Sequence, residues 1–250
     1  MIKSTKIALA VACAGSLSFT AMAQDDSNVW SGQGEAGFVK ASGNTENETL
    51  NIGLNFKKGG ELLNHEIKLG AFQASTSGSD TADSLAADYI LKRVLTERSN
   101  VFFNLGYLDD DFDGFTEQLS ASVGYGYKVI DRENTRWETG IGVGYRDTST
   151  ELFLPDGSRI EGEDVSGATF VLRSDFAHKL TSNTEFVDSF KAEIGSDNSF
   201  IENDAALYVA MNDRFSLKAG ILVRYNSDPA PGVDETDTIT SVSLVYKFNQ

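Results

Sequence analysis

The chain has 250 residues, 40% of them hydrophobic and 23% charged, with a formal net charge of -16. So acidic a chain offers no basic footprint for nucleic acid. A mean hydropathy of -0.23 argues against a bundle of membrane-spanning helices, each of which needs about 20 consecutive apolar residues, but not against a transmembrane β-barrel, where only alternate residues meet lipid.

The first element is a segment for export. Lys3 and Lys6 supply a positive start, Ile7 to Phe19 is a short apolar run, and Ala21-Met22-Ala23 fits the small-x-small cleavage rule. Residues 1–23 are therefore expected to be a removed signal peptide, with 24–250 as the mature domain. Cleavage takes away the single Cys13 and two lysines. The mature chain would then lack disulfide and thiolate chemistry, and its charge would be about -18.

From Val29 onward the apolar period is two. Leu50, Ile52, Leu54 and Phe56 alternate with Thr49, Asn51, Gly53 and Asn55. The same holds for Val101 to Tyr107, Leu119 to Val129, Trp137 to Tyr145, Leu217 to Tyr225 and Val242 to Phe248. Alternate side chains of a strand face opposite ways, so each segment has one apolar and one polar face. The pattern predicts about twelve strands, at approximately 29–40, 48–57, 63–73, 84–93, 100–108, 115–129, 136–146, 165–176, 184–195, 203–211, 215–226 and 238–248. The third, fourth, eighth and ninth carry the weakest alternation, and Asp188 interrupts the apolar face of the ninth between Phe186 and Phe190.

The connections alternate in character. Five are short and of mixed charge, such as Thr96-Glu97-Arg98 and Asn212-Asp213-Arg214; the others are mostly longer and acidic, such as Ser75 to Asp83 and Asp147 to Asp164. Short periplasmic turns and longer outer loops are the habit of bacterial outer-membrane barrels. The expected fold is thus an all-β, antiparallel, up-and-down transmembrane barrel with acidic outer loops, placed in the bacterial outer membrane. Aromatics near strand ends (Trp30, Phe38, Phe56, Tyr107, Tyr127, Trp137, Tyr145 and Tyr225) suit interfacial girdles. Tyr246 and Phe248 close the last strand in the manner of a barrel-assembly signal, although Asn249 and Gln250 follow. Expected partners are outer-membrane lipid, lipopolysaccharide, the barrel assembly machinery and, at the outer loops, divalent cations.

Several segments together resemble the YdiY-like salt-induced outer-membrane proteins, whose domain has no assigned function. They are Trp30-Ser31-Gly32, Ser42-Gly43-Asn44-Thr45-Glu46, Thr96-Glu97-Arg98-Ser99, Leu119 to Tyr127, Asn212-Asp213-Arg214, Tyr225-Asn226-Ser227-Asp228 and Ser243-Leu244-Val245-Tyr246. The segment Phe153-Leu154-Pro155-Asp156-Gly157 departs from the family's usual short loop. The resemblance implies an outer-membrane barrel with a structural or salt-adaptive role and supplies no substrate.

Little in the chain suggests catalysis. Two histidines, His65 and His178, stand outside the outer loops without a nucleophile motif, and no cofactor is expected. Asp109-Asp110-Asp111-Phe112-Asp113-Gly114 matches the start of a calcium loop, with Glu117 at the ninth position but Ser120 where a Glu should stand. Asp109, Asp111, Asp113 and Glu117 are weak calcium or magnesium candidates. Glu35, Glu66, Lys68 and Glu117 are expected to face the lumen, as are Arg136, Glu138, Arg146 and Arg224. Such charges either pair and plug a narrow barrel or line a water path, which leaves a passive, cation-preferring pore as the alternative function.

Overall fold

The computed structural model describes residues 29–41, 47–77, 79–110, 115–153, 159–162, 164–229 and 233–249. The expected signal segment, 1–23, lies outside them. The chain forms β1 (Trp30–Ala41), β2 (Asn47–Lys58), β3 (Leu63–Thr76), β4 (Ser79–Thr96), β5 (Ser99–Asp110), β6 (Phe115–Asp131) and β7 (Thr135–Phe153). After the three-residue β8 (Arg159–Glu161) come β9 (Val165–Lys179), β10 (Thr184–Gly195), β11 (Ser199–Ala210), β12 (Phe215–Asn226) and β13 (Thr236–Phe248). Apart from β8, each strand pairs antiparallel with its neighbours along the chain, β7 pairs directly with β9, and β1 pairs with β13. The result is a closed barrel of twelve strands, with β8 a hairpin appendage on β7. Closure satisfies every edge, which a wall in lipid requires. The four weakly patterned strands all form.

The alternation is inverted relative to a water-soluble protein. Val143 (62% exposed), Ile141, Tyr145, Leu119, Val242 and Leu244 stand on the outside, while Asn104, Ser216 and Ser243 are buried inside. A continuous apolar exterior of this kind is a lipid-facing surface. At the end carrying the short turns, Phe56 packs on Phe248 (ring centroids 5.5 Å apart) and Phe215 on Tyr246 (5.2 Å). Trp30 lies 6.3 Å from His65, which stacks on Tyr89. Phe38, Tyr107 and Tyr225 stand towards the opposite end of their strands. Both levels of the expected girdle are therefore populated, and Tyr246 and Phe248 belong to the turn-side one.

Several expected boundaries change, among them the start of the strand expected at 203–211, which is Ser199 in β11. The acidic stretch expected as a loop at 75–83 is mostly strand: β3 runs to Thr76, β4 starts at Ser79, and Ser77 takes φ 52° in the tight turn between them. The loop expected at 147–164 gives its first part to β7, whose 19 residues reach Phe153. In these two loops hydroxyl and acidic residues pair through backbone hydrogen bonds, which need no apolar alternation.

Candidate functional site

The lumen holds a cavity of about 820 Å³ that runs from the turn-side rim up to Leu108, Phe200 and Arg224. Small inward residues, among them Gly53, Gly70, Gly106 and Ala206, keep its walls apart, and both basic and acidic residues line it. Most of these charges are matched. Lys92 Nζ donates to Glu138 Oε1 at 2.7 Å, and Asn100 Nδ2 reaches the same oxygen at 3.2 Å. Lys218 Nζ lies 3.1 Å from Glu35 and 4.0 Å from Asp204. Glu66 accepts from Asn55 and has Lys57 at 3.3 Å and Lys68 at 3.9 Å. At the exposed rim Arg136 pairs with Glu185 at 3.0 Å.

One wall is built round an aromatic wedge. Phe102 is 3% exposed and lies flat on Gly124 and Gly140: a Cβ on Gly124 would fall 2.4 Å from its ring, and one on Gly140 2.9 Å. Only glycine leaves room for it. Arg173 covers the other face of that ring at 5.5 Å and donates Nη1 to the buried Asn104 at 3.0 Å. The ring thus holds the guanidinium at the cavity wall.

The loop-side half differs. Leu108 on β5 packs against Phe200 on β11, with Ala86 beside them. Arg224 on β12 reaches Asp110 on β5 at 3.0 Å and Glu202 at 3.1 Å. In the ring of twelve, β5 and β12 stand on opposite sides, so this ion pair spans the lumen. Ser84, Gln118 and Thr148, also inward, are buried at the same end. In a lumen open to water such residues would be wet; here side chains from opposite walls form a packed belt. Arg146 adds a latch. Its Nη2 donates at 2.8 Å to the carbonyl and the side-chain oxygen of Asn198, which in turn donates to Asn226 and to the Asp228 carbonyl. Its Nη1 stands 3.9 Å from the buried Glu193. One strand arginine thereby ties the β10–β11 and β12–β13 connections together.

Of the expected lumen residues, Glu35, Glu66, Lys68, Arg136, Glu138 and Arg224 line the cavity, with Arg224 also in the belt above it. Arg146 faces inward but lies within the belt rather than on the cavity. Glu117 is a correction. It is exposed and shares the outer face of β6 with Leu119, within 3.3 Å of the Tyr107 hydroxyl on β5. Alternation from Leu119 puts it outside, so it is not a lumen group.

Asp109 stands 3.5 Å from that hydroxyl, whereas Asp111 and Asp113 lie outside the described residues. Among the described residues no group of acids and histidines is arranged to hold a metal. His65 Nδ1 meets the Tyr89 hydroxyl at 2.9 Å and His178 Nδ1 meets Thr135 Oγ1 at 2.8 Å; both rings sit on the outer face of the wall. Arg173, Asp175, Glu202 and Asp204 line the cavity without having been expected there. Their signal was present, since Arg173 and Asp175 alternate with Leu172, Ser174 and Phe176.

Against known proteins, residues 34–248 match the model of the family described as "Protein of unknown function, DUF481". The chain is 27% identical over 217 residues to "Uncharacterized protein YdiY" of Escherichia coli strain K12, covering 85% of this chain and 81% of that one. Among solved structures it is similar to an outer membrane channel from Pseudomonas putida F1, with a TM-score of 0.50, 10% identity, and coverage of 91% of this chain and all of that one. The translocator domain of the autotransporter NalP from Neisseria meningitidis gives a TM-score of 0.47 at 12% identity, covering 98% and 95%. The channel from Pseudomonas supports the outer-membrane-type barrel already evident in the inverted wall, and the family match spans nearly all of that barrel. The chain belongs to the DUF481 family.

Proposed function

We propose that this protein is an envelope barrel shut towards the outside at rest, with a structural or salt-adaptive role in the outer membrane rather than that of a standing pore. The observation that carries this reading is the belt: Leu108 on Phe200, and Arg224 on Asp110, join opposite walls with side chains at most 7% exposed. A bidentate-capable arginine bound to two carboxylates in a dry constriction resists thermal opening, because releasing it would leave buried charges unmatched. The salt-adaptive part rests on the resemblance to the YdiY-like family. In the membrane the apolar exterior meets lipid, the acidic loop end faces lipopolysaccharide and its divalent cations, and Tyr246 and Phe248 serve as the handle for barrel assembly.

The test is current through a planar bilayer holding the refolded mature protein in high salt. Stable insertion with no steady current is expected, and steady ion-selective openings would overturn the closed reading. Those openings would instead favour the second reading, a passive pore for small solutes. Its support is the polar cavity, which would form most of such a path once the belt parted. The acidic loop end would then concentrate cations at the mouth.

A further inference from the structure

Several charges in the cavity, among them Lys68, Asp88, Arg173, Asp175 and Lys191, meet no opposite charge at hydrogen-bonding distance among the described residues. The nearest carboxylate oxygen to Lys68 Nζ is that of Glu66, at 3.9 Å and beyond hydrogen-bonding distance. Lys191 and Asp88 line the cavity and have no hydrogen bond or ion pair among the described residues. Arg173 is held by Asn104 and the Phe102 ring, with no carboxylate at ion-pair distance among the described residues. Asp175 accepts from Ser189, at 2.9 Å, and from no other group among the described residues. Elsewhere in the same lumen opposite charges meet at 2.7 to 3.1 Å, so the barrel pairs its charges where the walls allow it.

The leftover charges stand on two facing walls. Lys68 on β3 is directly opposite Asp88 on β4 in the register, both inward. Across the lumen Arg173 on β9 is opposite Lys191 on β10, with Asp175 two residues along from Arg173 on the same face. In the ring, β3 and β10 are diametrically placed. Each wall therefore turns at least one cation and one carboxylate towards the cavity. Arg136, with a side chain 60% exposed, lines this space at its turn-side rim. Charges that face one another only beyond hydrogen-bonding distance keep donors and acceptors for a complementary visitor. A purely anionic visitor would be repelled by Asp88 and Asp175, and a purely cationic one by Lys68, Arg173 and Lys191.

We propose that the cavity is a binding site for a small zwitterionic solute carrying a carboxylate and an ammonium group, entering from the turn side. Its carboxylate is taken by Lys68, Arg173 and Lys191, and its ammonium by Asp88 and Asp175. The site lies below the belt and goes beyond the closed-barrel reading, since it needs no opening towards the outside.

The experiment is binding to the refolded mature barrel in micelles, followed by calorimetry and saturation-transfer NMR. The probes are L-glutamine, its N-acetyl derivative as the anion, and its methyl ester as the cation. Saturable binding of L-glutamine is expected, about tenfold or more tighter than either single-charged derivative. Lys68→Gln and Asp88→Asn should each weaken it about tenfold while leaving the heat-modifiable gel mobility of the folded barrel unchanged. Equal binding of N-acetylglutamine would overturn the zwitterion and leave an anion site. Absence of saturable binding by all three, with the wild-type barrel folded, would overturn the site itself. Neither outcome bears on conductance, so this inference and the closed-barrel reading fail separately.

Discussion

The two halves of the lumen are built from the same strands with the same alternation, and they end up opposite in kind. On the turn side the inward positions are small, as at Gly53, Gly70, Gly106 and Ala206, and the charged side chains stay on their own walls around about 820 Å³ of space. On the loop side Leu108, Phe200, Asp110 and Arg224 are long or bulky enough to meet across the middle. A twelve-stranded wall therefore fixes only the width. Whether that width is a cavity or a plug is decided by a handful of inward residues, and the difference can be attacked from either half.

The largest effect is expected from removing the belt. Phe200→Ala combined with Arg224→Ala takes away both cross-lumen links, so a silent barrel should pass steady current in a planar bilayer. If it stays silent, the belt is not what closes the lumen. Arg224→Ala alone takes from the buried Asp110 its cation at 3.0 Å, and breaking a buried pair costs about 3–5 kcal/mol. A lowered unfolding midpoint in denaturant would show it.

Next comes the wedge on the cavity side. Phe102→Ala empties the space over Gly124 and Gly140 and frees Arg173. Truncating a buried Phe costs about 3–5 kcal/mol, with the low end expected because water can enter from the cavity. Folding stability should fall while conductance stays as in the parent. An equal rise in current would mean that the wall, and not the belt, sets closure. Smaller again is Lys218→Met, which strips Glu35 of its cation; a loss of about 2 kcal/mol is expected, since the pair is partly wet. Adding Glu35→Gln should restore most of it in a double-mutant cycle.

The wall was open to reading from sequence because lipid imposes a strict period of two on anything facing it. Leu50 to Phe56 or Leu217 to Tyr225 can be little else than one side of a strand. The tops of β4 and β7 were hidden because Ser79 to Asp83 and Asp147 to Thr150 project beyond the apolar band, where pairing continues with no side-chain signature. Glu117 was misplaced although its phase with Leu119 already put it outside. The belt could not be read at all: Arg224 and Asp110 are separated by 114 residues and meet only because ring closure sets β5 opposite β12. The leftover charges needed the same knowledge, since an unpaired lysine is recognised only when its surroundings are known.

The smallest effect concerns the outside of the open half. Asp188, the residue that breaks the apolar face of β10, accepts from Asn203 Nδ2 at 3.0 Å. Alternation from the inward Ser189 and Glu202 puts both side chains on the lipid side. A carboxylate there is disfavoured, though less than a lysine or arginine would be, by an amount that falls towards the interface. Its amide partner offsets part of that, because an unsatisfied polar group in lipid costs more than a paired one. Asp188→Ala alone should therefore gain little, since it orphans Asn203. Asp188→Ala with Asn203→Ala removes both polar groups and should stabilise the folded barrel in vesicles by about 1 kcal/mol, measured by reversible denaturant titration. A loss instead would mean that this pair holds β10 and β11 in register and supports the wall carrying Lys191, tying the lipid face to the cavity behind it.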